Sequence, residues 1–282
     1  MKFLWILLLL IGCGDADNLQ IKTYTIQGGE ITIRASEQFA GAIDSVKWNG
    51  KEFIDNTDHG RELQSASSFD AFGECYNPTE GGSRRDGYKA TSSSILKSVS
   101  AEGDTLQTKT QMAFWLAPGE SSDCGVAKNT QVVSDHILSK TVKIGHLVSD
   151  HIIEYQVIFS VPRSYNTGKF EVLTGYMPEG FNKFHRYDPS RSILLPDTNP
   201  ALPLIYTDTE NYAMGIYTPD PLMYGSFTSE ALNARVVKWN TAIRIDKVVA
   251  GEYGFRCYVI VGTLDNVKVS MTQLYNYFYK ES

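Results

Sequence analysis

Apolar and polar side chains alternate with a period of two residues along most of this 282-residue chain. Such runs flank the pair Gly28 and Gly29, and others flank the pair Asn49 and Gly50. Because successive side chains of a β-strand point to opposite faces, the alternation predicts strands on both sides of each pair. Asn followed by Gly tolerates the left-handed conformation of a tight type I′ turn, so these stretches are predicted to be hairpins.

The same alternation continues through residues 92–115 and 136–162, and in several runs between residues 169 and 264. The chain lacks the regular succession of strands and helices that indicates a parallel sheet. Strands this numerous build an antiparallel sandwich or barrel. We predict a mostly β fold, a large antiparallel β-sandwich with a short C-terminal helix, and a single domain over residues 20–282.

The one helix is predicted near the end of the chain. We expect Asp265 to cap its start, since short polar side chains favour that position. Its apolar stripe is expected to pack on the core and close one edge or end of the sandwich. The stripe consists of Val267, Met271, Leu274, Tyr275 and Phe278.

The first residues have the pattern of a segment that directs export. Lys2 precedes an unbroken apolar run over residues 3–11, and small and polar residues follow. This length and flanking charge are typical of a signal peptide, and the run is too short for a permanent transmembrane helix. We expect residues 1–12 to be removed and the mature protein to be exported.

Residues 10–13, with the sequence Leu-Ile-Gly-Cys, resemble a bacterial lipobox. In this interpretation Cys13 is lipidated after cleavage, and residues 13–19 form a tether. The lipid would then hold the protein on a membrane of the bacterial cell envelope. The alternative is a plain secretory signal that is cleaved after Ala16, which would leave a soluble secreted protein.

The charge pattern argues against nucleic acid as a partner. The net charge is −6, and Lys and Arg are scattered along the chain. Binding to nucleic acid requires a concentrated basic face. The chain also lacks a phosphate loop, a dinucleotide fingerprint and a Gly-x-Ser-x-Gly elbow, so we expect no cofactor of these classes.

The cysteines allow one disulfide. If Cys13 carries a lipid, an odd number remains: Cys75, Cys124 and Cys257. One bridge plus one buried thiol is possible, and Cys257, inside an apolar strand, is the better candidate for burial. A bridge between Cys75 and Cys124 would join two loops. Without a Cys-x-x-Cys motif or closely spaced Cys and His, no metal is expected.

Residues 58–87 form a long polar segment between β-patterned regions. Turn geometry explains its Asp, Asn, Gly and Pro residues but calls for neither its arginines nor its glutamates. The segment is therefore either a ligand-facing loop or an ordinary long connection. The candidate catalytic residues are Tyr76 and Glu80, and the candidate ligand-binding residues are His59, Arg61, Glu74 and Asn77.

A second polar cluster lies within residues 175–191. Aromatic residues beside Arg, His and carboxylates are typical of a sugar-binding groove, because rings stack on apolar sugar faces and polar groups bind hydroxyls. The alternative is a surface loop that its aromatic residues anchor in the core. We predict a catalytic role for His185 and ligand binding by Arg186 and Tyr187.

Two other histidines follow the same Ser-Asp dipeptide, His136 and His151. Adjacent residues of a strand point to opposite faces, so Asp150 cannot orient the ring of His151 while both are extended. We predict that both histidines lie at the starts of neighbouring strands and have no catalytic role.

Three stretches together resemble the galactose mutarotase-like supersandwich class. They are residues 41–55 (GAIDSVKWNGKEFID), residues 58–66 (DHGRELQSA) and residues 212–220 (YAMGIYTPD). The resemblance implies a large twisted antiparallel sandwich whose concave face holds carbohydrate. The mutarotases' catalytic His and Glu have no matching motif in this sequence, so the resemblance transfers no catalytic role.

Three functions follow from these patterns. The first is an exported, lipid-anchored protein that binds carbohydrate in a concave groove. The second is a carbohydrate epimerase or a uronate-eliminating lyase, in which Arg61 or Asn77 neutralises the sugar carboxylate and Tyr76 or His185 takes the proton. The third is a structural or partner-binding envelope lipoprotein. The first two require residues 58–87 and 175–191 to meet in one cavity.

Overall fold

The computed structural model describes residues 20–195, 202–219, 224–228 and 236–279. The predicted signal peptide, Cys13 and the predicted tether lie outside the described residues.

Strands dominate the described chain, together with one 3₁₀ helix, Gly73–Tyr76, and one α-helix. The elements are β1 (Thr23–Gly28), β2 (Ile31–Ser36), β3 (Ile43–Trp48), β4 (Lys51–Glu52), β5 (Gln64–Phe69), β6 (Pro78–Thr79), β7 (Ile95–Glu102), β8 (Thr105–Phe114), β9 (Ser121–Ser122), β10 (Gly125–Val126), β11 (Val133–His146), β12 (Ser149–Val161), β13 (Tyr165–Pro178), β14 (Phe181–Asp188), β15 (Ile193–Leu195), β16 (Leu202–Thr207), β17 (Ala213–Tyr217), β18 (Tyr224–Thr228), β19 (Val236–Val248), β20 (Gly251–Gly262) and α1 (Leu264–Tyr279).

The strands form one small sheet, one large sheet and a two-stranded ribbon. The small sheet has the order β1-β2-β3-β4. The large sheet runs β15-β14-β16-β17-β20-β12-β11-β8-β6-β5-β13-β19-β18, with β7 also paired to β8. The strand pairs within the described residues are antiparallel, including the predicted hairpin at Asn49 and Gly50, whose φ values are 48° and 76°. The predicted mostly β, antiparallel fold is confirmed.

One hydrophobic core joins the small sheet to the large one. Ile33 and Val46 of the small sheet are completely buried in the same cluster as Tyr155 and Val259 of the large sheet. Their burial follows from the period-two alternation, which turns the apolar face of each strand inward.

The predicted C-terminal helix is present as α1. Val267, Met271 and Leu274 are completely buried and pack on a second cluster with Tyr217 and Tyr258 of the large sheet. The stripe therefore covers the sheet at β17 and β20, as its periodicity predicts.

The predicted cap of this helix is wrong. The hydroxyl of Thr263 accepts a hydrogen bond from the backbone N–H of Asn266 at 3.2 Å, and the Asn266 side chain accepts one from the Thr263 N–H at 3.1 Å. This reciprocal pair satisfies two N–H groups that the helix itself leaves free. Asp265 instead lies in the first turn, where it pairs with Lys268 at 2.8 Å.

The two Ser-Asp-His segments lie on neighbouring strands, β11 and β12. In each, the histidine N–H donates to the Ser hydroxyl two residues earlier, His136 to Ser134 and His151 to Ser149, both at 3.2 Å. The repeated sequence thus builds the same local turn twice.

A disulfide joins Cys75 to Cys124 and ties the 3₁₀ helix to the loop between β9 and β10. Cys257 on β20 is a buried free thiol. The bridge that the sequence left as one possibility is therefore formed.

No helix in the described part of the chain is both long and apolar enough to cross a membrane. Within the same residues, no group of His, Cys, Asp or Glu side chains is arranged to hold a metal ion.

Candidate functional site

A polar cavity lies over three adjacent strands of the large sheet, β5, β13 and β19. It has a volume of about 580 Å³, and a smaller cavity of about 80 Å³ adjoins it. The two share lining residues from the 3₁₀ helix region, from β13 and from β19, so we call them together the groove. The shared residues are Glu74, Asn77, Glu171 and Lys238.

The strand register places the charged side chains of the groove beside one another. Tyr176 of β13 lies directly opposite Lys238 of β19, and Lys169 lies directly opposite Arg244. Side chains of directly opposite residues lie on the same face of a sheet, with their Cβ atoms about 5 Å apart. One face of β13 and β19 therefore carries a continuous row of polar groups.

A β-bulge in β13 determines which of its side chains face the groove. The register with β19 shifts between Glu171 and Leu173. Strict alternation after Glu171 would turn Leu173 toward the groove, whereas the bulge buries Leu173 completely and turns Thr174 and Tyr176 toward the groove instead. The bulge thus places Lys169, Glu171, Thr174 and Tyr176 on one side of the strand.

Glu171 is the fixed carboxylate of the groove. Its Oε1 lies 2.7 Å from Lys169 Nζ, and its Oε2 accepts a hydrogen bond from the Thr174 hydroxyl at 3.0 Å. Burial alone would raise the pKa of Glu171, but the charges of Lys238 and Lys169 and these hydrogen bonds lower it overall. The carboxylate is therefore ionised at neutral pH and accepts hydrogen bonds.

Lys238 and Tyr176 form a second polar unit. The ammonium lies 5.4 Å from the centroid of the tyrosine ring. Burial opposes the charge of Lys238, but Tyr176 and Glu171 outweigh it and raise the lysine pKa. Burial also raises the pKa of Tyr176, so its hydroxyl keeps its proton. The pair offers a permanent cation and a neutral phenol.

Further groove-lining residues come from the 3₁₀ helix region and from Trp115. The side-chain amide of Asn77 donates to the Ser67 backbone carbonyl at 2.6 Å, and the backbone carbonyl of Asn77 accepts a hydrogen bond from the backbone N–H of Trp115 at 2.8 Å. The indole packs against Gly60, where an added Cβ would lie 2.7 Å from the ring. Glycine at this position, with a φ of +97°, therefore lets the half-buried indole line the groove.

Of the predicted site residues, Glu74 and Asn77 line the groove. Glu74 also accepts a hydrogen bond from the Ser122 hydroxyl at 2.6 Å, across the part of the chain that the disulfide ties down.

His59 and Arg61 make structural contacts. The His59 ring is buried, with Nδ1 2.8 Å from the Gly87 carbonyl and Nε2 2.9 Å from the Gln38 carbonyl. Arg61 pairs with Asp58 at 2.8 Å. These contacts hold the polar segment in place, and neither side chain is among the described residues that line the groove.

Glu80, predicted to be catalytic, is completely buried. Its Oε1 lies 2.5 Å from Nζ of Lys140, which is equally buried and also donates to the Gly41 carbonyl at 2.8 Å. Burial raises the pKa of Glu80, and the charge of Lys140 opposes that rise. An ion pair sealed in the core cannot contact a ligand, so this position does not fit the predicted role.

The remaining predicted residues lie elsewhere. Tyr76 lines a different cavity. His185, Arg186 and Tyr187 lie on β14, near the other end of the large sheet, where His185 stacks on Tyr206 with the ring centroids 5.4 Å apart. The predicted catalytic set of Tyr76, Glu80 and His185 is therefore not brought together.

The two predicted segments do share the groove, but through a residue that was not among the predicted site residues. Tyr176, within residues 175–191, lies in the same cavity as Gly60, Glu74 and Asn77 of residues 58–87. Lys169, Glu171 and Lys238 were also missed. The only signal for the first two was that Lys169 and Glu171 alternate with apolar residues, a pattern equally typical of a solvent-exposed face.

No protein-family model matches the chain, and no curated protein matches it. Solved structures do match. An alpha-mannosidase from Enterococcus faecalis V583 superposes with a TM-score of 0.52 and 11% identity, over 90% of this chain and 31% of the mannosidase. The chain thus spans less than a third of that enzyme's length, and the likeness shows the fold alone.

Two further similar structures bear the name of the class that the sequence motifs resemble. A galactose mutarotase related enzyme from Lactobacillus acidophilus has a TM-score of 0.47 and 10% identity, covering 87% of this chain and 99% of its own. A galactose mutarotase-like protein from Lactobacillus casei ATCC 334 has a TM-score of 0.42 and 9% identity, covering 85% and 100%. The resemblance predicted from the sequence is therefore also found by structure comparison, as a loose match.

Proposed function

We propose that this protein binds carbohydrate in the groove. The observation that carries the proposal is that a half-buried indole and a phenol line the smaller cavity, beside a fixed carboxylate and an ammonium that line both cavities of the groove. Sugars present apolar ring faces and many hydroxyls that both donate and accept hydrogen bonds. Rings that stack and a few fixed polar groups are what such a ligand requires.

Each group has a definite part in this proposal. Glu171 accepts hydrogen bonds from sugar hydroxyls, Lys238 and the Tyr176 hydroxyl donate to them, and Trp115 covers an apolar sugar face. Hydrogen bonds to charged groups contribute about 1.5 to 3 kcal/mol each, equivalent to about tenfold to hundredfold in affinity. The alpha-mannosidase of similar fold carries a carbohydrate-related name, which supports testing sugars first.

Binding without turnover is the form of the proposal that the geometry supports best. The catalytic set predicted from the sequence lies in three separate environments, as described above. In the groove itself, the pKa of Tyr176 is raised, so its phenol is a hydrogen-bond donor and a poor base.

A glycan array followed by isothermal titration calorimetry tests the proposal. We expect Lys238→Met and Trp115→Ala each to weaken binding of the selected glycan by about tenfold or more. Lys183→Met is the matched control, because Lys183 is exposed on β14 and pairs only at the surface with Asp208. Equal affinity of both groove variants and the parent protein would place the ligand elsewhere.

We also propose that Cys13 is lipidated and anchors the protein in a bacterial cell envelope, on the strength of the lipobox resemblance alone. Mass spectrometry of the mature N-terminal peptide tests this, with a diacylated Cys13 expected and an unmodified peptide beginning after Ala16 contradicting it. Cys13→Ala should release the protein from the membrane fraction.

A further inference from the structure

A second cavity, of about 430 Å³, lies beside Tyr76 and is separate from the groove in its lining residues. It is bordered by the chain leading into β11 and by the turn between β12 and β13. The rings of Tyr76, Phe114 and Tyr165 form an aromatic wall. This volume is within the range of cavities that bind small molecules.

Two residues that line this cavity each have a buried side-chain atom without a hydrogen-bond partner in the described part of the chain. His136 is 3% exposed, and its Nδ1 is unpaired. Asn129 is 7% exposed, and its Oδ1 is unpaired, although its Nδ2 donates to the carbonyls of Leu116 and Gln131 at 3.0 and 2.8 Å. Buried polar groups nearly always have partners, so these two atoms point to a bound molecule that supplies them.

The free atom of His136 belongs to a neutral ring. Burial, and then the charge of Arg163, lower the pKa of His136 to about 3. Its Nε2 lies 3.1 Å from the Tyr165 hydroxyl, which in turn lies 3.3 Å from the Tyr76 hydroxyl. The neutral imidazole therefore presents Nδ1 to a ligand as one end of a fixed chain of hydrogen bonds.

The rim of the cavity carries an excess of positive charge. Arg163 donates to the Tyr76 hydroxyl at 2.9 Å, and its guanidinium lies 5.2 Å from the centroid of the Tyr165 ring. Neither Arg163 nor Lys128 forms an ion pair within the described residues, and Asp135 is the one carboxylate among the described lining residues. A guanidinium that is held in place by aromatic residues and forms no ion pair favours a carboxylate, which it binds through two parallel hydrogen bonds.

We propose that the second cavity binds a small hydroxylated carboxylate of the size of one sugar acid. The carboxylate contacts Arg163, and the hydroxyl groups contact Asn129 Oδ1 and His136 Nδ1. The site does not depend on the groove, because the two cavities share no lining residue among those described. Tyr76, which the sequence predicts as a catalytic residue, then lines a ligand site other than the groove.

Calorimetry with D-glucuronate as the probe and D-glucose as the uncharged analogue tests this site. We expect glucuronate to bind at least tenfold more tightly than glucose, and Arg163→Met to weaken glucuronate binding at least tenfold, because a charge-assisted pair is lost. Arg163 is exposed, so the variant should fold. Arg191→Met is the control, since Arg191 is exposed and pairs with Asp188 at 2.6 Å, away from both cavities.

Crystals soaked in glucuronate locate the ligand independently. Density for the sugar acid between Arg163 and His136 supports the proposal. Ordered water alone in the second cavity, glucuronate found in the groove instead, or equal affinity of the Arg163→Met variant and the parent protein would each overturn it. Failure of glycans to bind the groove would leave all three outcomes unaffected, so the two proposals are tested separately.

Discussion

Glu62 is a completely buried carboxyl group that forms no ion pair within the described residues. Its two oxygens accept hydrogen bonds from the Gly60 N–H at 3.3 and 3.1 Å. Burial raises the pKa of Glu62 from its ordinary value of 4.5 to about 8, and the backbone hydrogen bonds oppose that rise only in part. The folded protein therefore holds this carboxyl in its protonated form at neutral pH.

This burial makes stability depend on pH with a definite sign. In the unfolded chain Glu62 ionises near pH 4.5, whereas in the folded protein it keeps its proton to about pH 8. Between these values the folded state binds the extra proton, so the free energy of unfolding falls as pH rises. At about 1.4 kcal/mol per pH unit, the loss between about pH 5 and about pH 8 is about 3 to 4 kcal/mol.

Glu62→Gln removes the titrating group and keeps its shape. We expect the free energy of unfolding of the variant, relative to the parent protein, to increase by about 3 to 4 kcal/mol between about pH 5 and about pH 8. Denaturant unfolding followed by tryptophan fluorescence at several pH values measures this difference.

Glu171→Gln provides the comparison, because the pKa of Glu171 is lowered. Its contribution to stability is present above its unfolded pKa and is lost only as pH falls below it, so that variant should differ from the parent protein by a nearly constant amount over the same range. A constant difference in the free energy of unfolding between Glu62→Gln and the parent protein would show that the folded protein does not raise the pKa of Glu62.

Two further predictions concern the scaffold. Lys140→Met should lower the free energy of unfolding by about 3 to 5 kcal/mol, because it leaves Glu80 buried without its partner. In denaturant unfolding, the double variant with Glu80→Gln should recover most of that loss, and no recovery would contradict a paired role. Replacing Cys75 and Cys124 by Ser should lower the free energy of unfolding by about 4 kcal/mol, since the bridge closes a loop across 49 residues. Thermal unfolding in the absence of reductant measures this loss. An unchanged midpoint would show that the bridge does not constrain the unfolded chain.

The sequence predicted the fold because the signals for strands are local. Alternation and the turn at Asn49 and Gly50 lie within a few residues of the strands that they define, and the structure has those strands and that hairpin. The sequence signal for the helix was equally local, apart from the signal for its cap. Its first residue follows Thr263, whose partner is Asn266 where the common capping pattern has Glu or Gln, so the capping box was not recognised.

The groove could not be predicted because its geometry depends on contacts between distant residues. Tyr176 lies beside Lys238 only because of the register of β13 with β19. The sequence around each residue does not indicate that register. The bulge after Glu171 reverses which residues of β13 face the groove, and the sequence has no signal for it.

Burial misled the assignment of polar residues in residues 58–87. The polar neighbours of Glu80 in the sequence predict a surface carboxylate. In the structure Glu80 is buried and pairs with Lys140, which lies sixty residues later in the chain. His59 is likewise held by two backbone carbonyls from other segments. Polar composition identified a segment rich in hydrogen bonds but did not separate the side chains that hold the scaffold from those that face a cavity.

A crystal structure of the protein with a glycan selected on the array shows whether the groove binds sugar. We predict density for the sugar over β5, β13 and β19, with a ring face against Trp115 and hydroxyls about 3 Å from Glu171 and Lys238. Bound glycan at any other surface, with the groove empty, would contradict it.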